Sequence, residues 1–538
     1  MRKLWDAEKK ALSAFRANID ARPPLPDAPP EALEEHASEV SHLQDLLSLA
    51  SSLPVEDRPP VAEWDDLLGP LWRRLFARGA DIDRYTLAGL WRTVLLDHGE
   101  VERFLRATAA VAASARNFYH FDEALDCCRE GRDAARGRPS AALANLINTE
   151  GFTRACAHDY DGAIACFREA KALAQRCTEE DLLLYAGTTS VEFQAQEMLN
   201  EAEVLLDQSA AIGGRVAQDA LAASKALLDQ LEKLELGPGF QLYLNRNRAE
   251  HALYRGQLSE ARKHLAKMAA AETDEGPFRF SLLAIRCRLE ARLAVYEGDL
   301  QAAYESIRVA IRQGLRKCYP AEEQFVLEEA VSVLKAMHGQ GRSADRDGMI
   351  RDLVSLMEDK DWYTGRSHAR GVSSLAANLG QRLNARYGWN VDLETLSVAG
   401  LLHDIGKLRI PWSLLNKIAP ITPRERLLLQ EHALHGGSLL SAIGMEDVAA
   451  VVEQHHETLD GGGYPRGVRP QPLAAILGVC DVYEAAITPN RRYKEPKDPV
   501  IAIAELAGAS GVLYEPAVVE CLMDLVASKA RRVPVGTP

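Results

Sequence analysis

Apolar residues recur at helical spacing along most of this 538-residue chain. From about residue 61 to residue 335 the sequence consists largely of Ala, Leu, Glu and Arg, and strand-like alternation of apolar and polar residues is rare. Apolar positions three and four residues apart share one face of a helix, so this stretch predicts a series of amphipathic helices. Residues 1–60 are interrupted by pairs of prolines, which break helices, and they predict a partly ordered leader.

A short phrase recurs within the helical stretch. Residues 121–125 read Phe-Asp-Glu-Ala-Leu, and related phrases follow at 160–164 and 199–203, in two steps of 39 residues. Two further copies, 256–261 and 298–303, begin 42 residues apart. Each copy joins a turn to a helical alanine, as expected where helix pairs stack closely. Residues 61–335 therefore resemble tetratricopeptide repeats, in which we expect the alanines to make packing contacts and the concave face to suit a protein partner.

A second helical domain follows the repeats. Residues 336–348 are rich in Gly, Ser and charged side chains and predict a linker. Beyond it we predict a domain over 349–530 and a tail over 531–538, so that the whole chain is all-α. A first helix over 349–360 leads into this domain. The other predicted helices cover 368–383, 394–404, 423–443, 447–457, 473–487, 499–507 and 516–530.

Composition narrows the classes of function. The net charge of −14 argues against DNA or RNA binding as the main activity, because nucleic-acid recognition needs basic surface. An acidic protein still binds an anionic dinucleotide where metal ions and a few cations dominate the site. Nine scattered cysteines without a Cys-x-x-Cys spacing predict reduced thiols in a cytoplasmic protein. The sequence shows neither a signal-peptide pattern nor a run of 18 apolar residues, so we expect no membrane span.

Histidines and carboxylates concentrate in the second domain. Six of the 14 histidines lie between residues 368 and 456, and His403-Asp404 and His455-His456-Glu457 place such groups side by side. Packing explains buried pairs of this kind poorly, because each ring nitrogen needs a partner once it is removed from water. A divalent metal would satisfy many of these groups together. A lone histidine on an apolar helix is more often a core residue, and His435 is left out of the site on that ground.

An ordered set of motifs extends over about residues 363–514. It begins with Tyr363-Thr364 ahead of His368 and continues with His403-Asp404-Ile405-Gly406-Lys407. The other residues of the set are Ile410-Pro411, Lys417, Thr422, Glu425, His432, Gly436, His455-His456-Glu457, Asp460-Gly461, Gly463-Tyr464-Pro465, Asp481-Val482-Tyr483 and Arg491. One His-Asp pair alone would be weak evidence, whereas the ordered set is specific. It resembles the HD-GYP family of metal-dependent cyclic dinucleotide phosphodiesterases. The resemblance implies an all-helical HD-GYP domain and a role in bacterial signalling.

The resemblance also implies a two-metal centre for phosphodiester hydrolysis, in which two divalent ions supply the hydroxide nucleophile and bind the phosphate. We assign Asp404 as the bridge between the ions. The predicted ligands of one ion are His368, His403 and Asp481, and those of the other are His432 and His455, with His456 as a further candidate. Carboxylate and imidazole donors suit iron or manganese. Some family members hold a third ion through a Glu one helical turn before the first His, and Thr364 at that position favours two ions.

The predicted substrate-binding residues are Lys407, Asp460, Gly463, Tyr464 and Arg491. Lys407, predicted to be catalytic together with Asp404, lies four residues after His403 and can meet a phosphate oxygen. Arg491 stands where the family places a phosphate-binding Arg. Residues 460–465 form a glycine-rich loop that permits close approach of a ligand, and Tyr464 either borders a guanine or locks the loop. The family phrase Arg-Pro-Tyr is replaced by Arg-Arg-Tyr at 491–493. The sequence therefore leaves open which cyclic dinucleotide is cleaved.

The expected function is hydrolysis of cyclic di-GMP to the linear dinucleotide, GMP or both. A protein partner bound to the repeats would regulate or localise this activity. Two alternatives remain open. One is a phosphodiesterase for a related cyclic dinucleotide such as cyclic GMP-AMP, and the other is a non-catalytic sensor and scaffold, against which the complete ligand set argues. Monomer and homodimer are both compatible with the sequence.

Overall fold

Helices make up the regular secondary structure of the described residues, so the predicted all-α class is confirmed. The structure is a computed structural model that describes residues 68–72, 75, 81–96, 100–212, 214–271, 279–314, 320–339, 345–360, 365–415, 421–488 and 496–530. The chain divides into two units, Met1–Val326 and Leu327–Pro538. The predicted leader 1–60, the predicted tail 531–538 and residues 340–344 of the predicted linker lie outside the described residues.

The first unit is built from helices that pack against their neighbours in the chain. Its consecutive pairs are α2–α3, α4–α5, α6–α7, α8–α9 and α10–α11 in the numbering that follows. The helices are α1 (Asp81–Leu96), α2 (Val101–Asn117), α3 (Phe121–Ala135), α4 (Ala141–Cys156), α5 (Tyr160–Ala174), α6 (Ser190–Ile212), α7 (Gly214–Leu231), α8 (Pro238–Tyr254), α9 (Leu258–Ala271), α10 (Arg279–Glu297), α11 (Leu300–Val309) and α12 (Pro320–His338), which continues into the second unit. Short turns at Glu179–Asp181, Leu182–Ala186 and Ala310–Gly314 are also helical.

Four copies of the repeated phrase share one turn. A residue with positive φ lies two positions before the second helix of each pair: Tyr119, His158, Gly256 and Gly298. In every copy the next backbone N–H donates to the carbonyl five residues earlier, at 3.1, 2.9, 2.8 and 2.9 Å in chain order. This left-handed cap satisfies a carbonyl that the first helix leaves without a partner and reverses the chain. The phrase therefore marks the turn of a helical hairpin.

The alanine of the phrase lies at a packing contact in all five copies. Ala124, Ala163, Ala202, Ala261 and Ala303 are each fully buried. A methyl group lets two helices approach closely, which explains why a larger residue does not stand there. The third copy departs from the expected register, because residues 199–203 lie inside α6 and not at the start of a helix.

The second unit begins within α12 and continues through ten further α-helices in the described residues. These are α13 (Arg346–Lys360), α14 (Gly365–Tyr387), α15 (Leu393–Leu402), α16 (Trp412–Leu415), α17 (Pro423–Gln430), α18 (His432–Ala442), α19 (Glu446–Glu453), α20 (Pro472–Ile487), α21 (Pro499–Gly508) and α22 (Pro516–Ala530). A 3₁₀ turn, Ile405–Arg409, separates α15 from α16. Among the described residues, none of the helices combines the length and apolar character needed to cross a bilayer.

Two predicted helices differ from the structure where histidines enter the site. The predicted helix 423–443 is divided at Glu431 into α17 and α18, and His432 is the first residue of α18. The predicted helix 447–457 ends at Glu453, so His455 and His456 lie in the following turn. In both places a histidine ring bonds a carbonyl three residues earlier, a local contact that competes with the regular helical ladder.

Candidate metal centre

Three buried histidines are held in the same way. In His403, His432 and His455 the Nδ1 atom lies 2.9, 2.7 and 2.6 Å from a backbone carbonyl oxygen three residues earlier. A carbonyl oxygen only accepts, so Nδ1 must carry the ring proton and donate it. The lone pair is then on Nε2, which each ring directs into the interior of the second unit. A carbonyl that fixes the tautomer in this way is typical of metal-binding histidines.

One cluster joins three helices and consists of His368 from α14, His403 at the end of α15 and Asp481 from α20. Their ligand atoms lie within 4.8 Å of one another, and the residues are buried. The Nε2 atom of His368 lies 3.1 Å from Asp481 Oδ1, and His403 Nε2 lies 3.5 Å from the same oxygen. Among the described residues, His403 Nε2 makes no hydrogen bond although it is buried. A buried lone pair beside a carboxylate fits a metal ion.

A second cluster, His432, His455 and His456, consists of imidazoles alone. Its ligand atoms also lie within 4.8 Å of one another. The Nε2 atoms of His432 and His455 face each other at 3.4 Å. Since both Nδ1 atoms carry the protons, two lone pairs meet there without a hydrogen between them. Such a pair needs a cation that both nitrogens can bind, and a divalent metal fits this requirement.

Asp404 lies between the two clusters. Its Oδ2 atom is 3.3 Å from His403 Nε2 in the first cluster, and its Oδ1 atom is 3.5 Å from His432 Nε2 in the second. One oxygen therefore faces each group of ligands. Lys407 donates to Oδ2 at 2.8 Å from the 3₁₀ turn that follows. The carboxylate is 5% exposed, so it depends on these neighbours and not on water.

The charges of the site favour an added cation. Burial would raise the pKa of Asp404, but Lys407 and His403 outweigh it and hold the pKa well below its usual range. Burial also opposes the charged form of His403, yet Asp404 and Asp481 raise its pKa to about 10. Burial lowers the pKa of His432 to about 3 and that of His455 well below its usual range. Asp404 and Asp481 thus draw positive charge to His403 Nε2, as a proton or as a metal ion, while the imidazoles of His432 and His455 stay neutral. Such a set of groups is suited to metal binding.

The glycine-rich loop closes one side of the second cluster. The Tyr464 ring lies 4.6 Å from the His456 ring and 6.4 Å from the His432 ring, measured between centroids. Burial raises the pKa of the Tyr464 phenol. Gly463 lies so close to the His456 carbonyl that a methyl group there would overlap it. The exposed Asp460 carboxylate accepts from the Thr458 hydroxyl at 2.6 Å and from the Gly462 N–H at 2.9 Å, which are bonds within the loop.

Some of the other predicted residues lie outside the part of the chain that the structure describes. Arg491 lies outside the described residues, as does Thr364. Thr422 and Glu425 of the motif set form a capping box at the start of α17. This cap orders the helix whose end supplies the carbonyl for His432.

The sequence assigned no role to two residues that hold the histidine clusters in place. Glu457 is buried, and its two oxygens accept from the backbone N–H groups of Arg466 and Val468 at 2.7 and 3.0 Å, which ties the loop after His456. Gly478 of α20 faces the His455 carbonyl so closely that no side chain would fit. The glutamate follows the two histidines in the sequence, so its position gave a signal, whereas the glycine gave none without the fold.

Comparison with known proteins agrees with this site. Residues 350–518 match the family model described as HD domain. A "Cyclic di-GMP phosphodiesterase" of Thermotoga maritima is 33% identical over 183 residues, which are 33% of this chain and 48% of that protein. The "Cyclic di-GMP phosphodiesterase response regulator RpfG" of Xanthomonas campestris is 33% identical over 211 residues, covering 38% and 54%. The "3'3'-cGAMP-specific phosphodiesterase 1" of Vibrio cholerae is 32% identical over 147 residues, covering 26% and 33%.

These relatives share only part of their length with this chain, which spans from about a third to about half of each. The matched region holds both histidine clusters and Asp404. The resemblance of the C-terminal domain to HD phosphodiesterases is therefore confirmed, and its His and Asp clusters are able to bind metal.

Proposed function

We propose that the second unit hydrolyses the phosphodiester bonds of cyclic di-GMP with two divalent metal ions, as part of second-messenger signalling in the bacterial cytoplasm. The observation that carries this proposal is Asp404, whose two oxygens face two separate clusters of metal-ligating side chains. Two relatives named as cyclic di-GMP phosphodiesterases support the choice of substrate. The products would be the linear dinucleotide, GMP or both.

The residues would divide into two ligand sets. His368, His403 and Asp481 would hold one ion, the cluster His432, His455 and His456 would hold the other, and Asp404 would bridge them. Imidazole and carboxylate donors without sulfur suit iron or manganese. When bound, the two ions would supply a metal-activated water and neutralise charge on the phosphate.

The chain's own polar groups would act around the ions. Lys407 donates to Asp404, and an ammonium has three N–H donors, so it is able to bind a phosphate oxygen as well. Tyr464 borders the second cluster and would limit where a base can lie. Asp404 and Asp481 are buried, so water does not weaken the charge interactions of their carboxylates. Asp460, Gly463 and Arg491 stay predictions as substrate contacts.

A second substrate has its own support. Three relatives named as 3'3'-cGAMP-specific phosphodiesterases match this chain with 28% to 34% identity. Relatives named as cyclic di-GMP phosphodiesterases match it with 31% to 38% identity, so the two ranges overlap. Arg492 also departs from the family phrase, as noted above. We therefore propose cyclic GMP-AMP as the alternative substrate of the same site.

Hydrolysis by the full-length chain tests the proposal. The protein would be loaded with Fe²⁺ or Mn²⁺ under exclusion of air, assayed with both cyclic dinucleotides, and analysed for metal. We expect about two ions per chain and turnover of at least one substrate. Asp404→Ala should lose at least one ion, because the bridge serves both. An active protein without metal would overturn the metal assignment, and tight binding without hydrolysis would identify a sensor.

We propose further that the first unit binds a protein partner and thereby regulates or localises the phosphodiesterase. The stacked helical hairpins support this, because such stacks present extended surfaces for peptides and helices.

A further inference from the structure

Lys360 is a buried lysine at the end of α13. Its side chain is 1% exposed, which places it among the largest fully buried side chains of the described residues. Its Nζ atom donates to the backbone carbonyl of Leu408. An ammonium is costly to bury unless it is hydrogen-bonded, so the partner indicates what the lysine does.

In the 3₁₀ turn Ile405–Arg409, the Leu408 carbonyl has no N–H donor at the position from which a 3₁₀ hydrogen bond would come. In a 3₁₀ helix a carbonyl accepts from the N–H three residues later. The residue three after Leu408 is Pro411, which has no N–H. The preceding carbonyl, that of Lys407, does receive the Ile410 N–H at 3.0 Å. Lys360 thus supplies a donor that the local chain is unable to provide.

The same turn is fixed on its other side by α18. A methyl group at Gly406 would overlap the His432 carbonyl oxygen and crowd the Gly436 nitrogen, so the two backbones touch. The turn therefore lies between α18, which carries a ligand histidine, and the end of α13. It also carries Lys407, whose Nζ atom bonds Asp404 Oδ2 at 2.8 Å. A displacement of the turn would move the Lys407–Asp404 pair relative to the clusters.

The opposite end of α13 is tied to the same unit. Arg346 donates to Asp447 Oδ2 of α19 at 2.7 Å, and the same oxygen accepts from the Thr395 hydroxyl of α15 at 3.2 Å. The helix is thus held at both ends to the elements that bear the site. Its position would be transmitted to the turn through the packing between them and through the Lys360 hydrogen bond.

We propose that Lys360 is a positioning residue for the metal centre. Its ammonium anchors the turn Ile405–Arg409, so that α13 sets the placement of Lys407 beside Asp404. This inference rests on the proposed phosphodiesterase function for its kinetic consequence, whereas the anchoring itself does not.

The test compares Lys360→Met with Arg351→Met in the full-length protein. Methionine keeps the length of the buried side chain and removes its donors, and Arg351 is an exposed cation on the same helix. Amide hydrogen exchange of residues 405–409 in Lys360→Met should be roughly tenfold faster. With metal content and KM unchanged, kcat should fall about 10- to 100-fold, as expected when a catalytic group is misplaced by a fraction of an ångström to 1 Å. Arg351→Met should match the unaltered protein.

Two further variants separate positioning from general destabilisation. In a Lys407→Ala background, Lys360→Met should lower kcat by less than threefold, because both changes act through one group. Lys360→Arg, which keeps a buried donor, should recover part of the lost kcat. If Lys360→Met does not fold, Lys360→Leu, which also lacks a donor, replaces it with the same expectations.

Unchanged exchange and unchanged kcat in a folded Lys360 variant would overturn the proposal, as would an equal loss in Arg351→Met. The exchange measurement needs no substrate. An unaltered protein that hydrolyses neither cyclic dinucleotide would therefore overturn the proposed function, while exchange alone would still decide whether Lys360 anchors the turn.

Discussion

Both units of this protein bury charged groups, but they neutralise them differently. In the first unit Glu250 is fully buried and accepts from Arg288 at 3.3 Å and from Arg292 at 2.8 Å. Arg246 of the same helix forms a two-bond ion pair with Glu203. Burial would raise the pKa of Glu250, yet the arginines lower it to about 2. The charges of this network are balanced by other side chains of the chain.

The second cluster of the candidate metal centre is arranged differently. The Nε2 atoms of His432 and His455 face each other at 3.4 Å, and both are acceptors because each Nδ1 donates to a backbone carbonyl. Buried ions of opposite sign form a structural network, whereas buried lone pairs that face one another require a cation from outside. A structural charge cluster and a candidate metal site therefore differ in the sign and direction of their groups, although both lie in the interior of a unit.

The largest expected effect comes from Gly406→Ala. The added methyl group would overlap the His432 carbonyl, so the turn or α18 must move. We expect activity to fall roughly 100-fold or more, with loss of bound metal, because ligands and Lys407 would be misplaced together. Activity and elemental analysis measure this. Gly508→Ala in α21 is the control, since a methyl group there meets nothing within 4 Å. Full activity and metal content in Gly406→Ala would show that the site tolerates the displacement.

Removing a carboxylate from the first unit should act on stability alone. Glu250→Gln would take the carboxylate away from the buried Arg288 and the partly buried Arg292, and the free energy of unfolding should drop by about 3 kcal/mol. Metal content should stay that of the unaltered protein. Denaturant unfolding of the first unit measures the loss, and exposed Glu260→Gln is the matched control. If Glu250→Gln is as stable as the unaltered protein, the arginine charges do not depend on the Glu250 carboxylate for their balance.

The pH dependence of the free energy of unfolding tests the Glu250 network through a smaller effect. The pKa of Glu250 is about 2 in the folded chain against an ordinary value of 4.5. A lowered carboxyl pKa contributes stability that is complete above the unfolded value and is lost as pH falls toward the folded value. Between pH 6 and pH 4 we expect a loss of about 1 kcal/mol from this residue. Unfolding of Glu250→Gln should be correspondingly less sensitive to pH in that window. Equal slopes in the two proteins would contradict the assignment.

The sequence predicted much of this arrangement and missed its connections. The clustered histidines and Asp404 were predicted because their order matched a family pattern. The turns near 121, 160, 256 and 298 were indicated by a repeated phrase. The phrase at 199 misled because an alanine also packs in the middle of a helix, where Ser224 donates to the Ala202 carbonyl at 2.9 Å. Lys360 and Gly478 gave no local signal, since their partners lie 48 and 23 residues away.

The smallest expected effect concerns Asp460, which the sequence predicted to bind substrate. Its carboxylate is exposed and accepts from the Thr458 hydroxyl and the Gly462 N–H. An asparagine at this position keeps an oxygen that can accept both bonds and loses only the charge. If Asp460 shapes the loop, Asp460→Asn should change KM and kcat by less than about threefold. Asp460→Ala should raise KM more, because the loop that carries Tyr464 loses both of these hydrogen bonds.

Thr458→Val provides the matched control, because it removes one of these bonds from the other side. A loop role predicts that Thr458→Val and Asp460→Ala shift KM in the same direction, with the alanine variant the larger. A direct contact with the substrate predicts instead that Asp460→Asn weakens binding as strongly as Asp460→Ala, while Thr458→Val has little effect. Steady-state kinetics of the three variants with both cyclic dinucleotides decides between the two. A difference confined to one dinucleotide would show that the loop contributes to the choice between cyclic di-GMP and cyclic GMP-AMP.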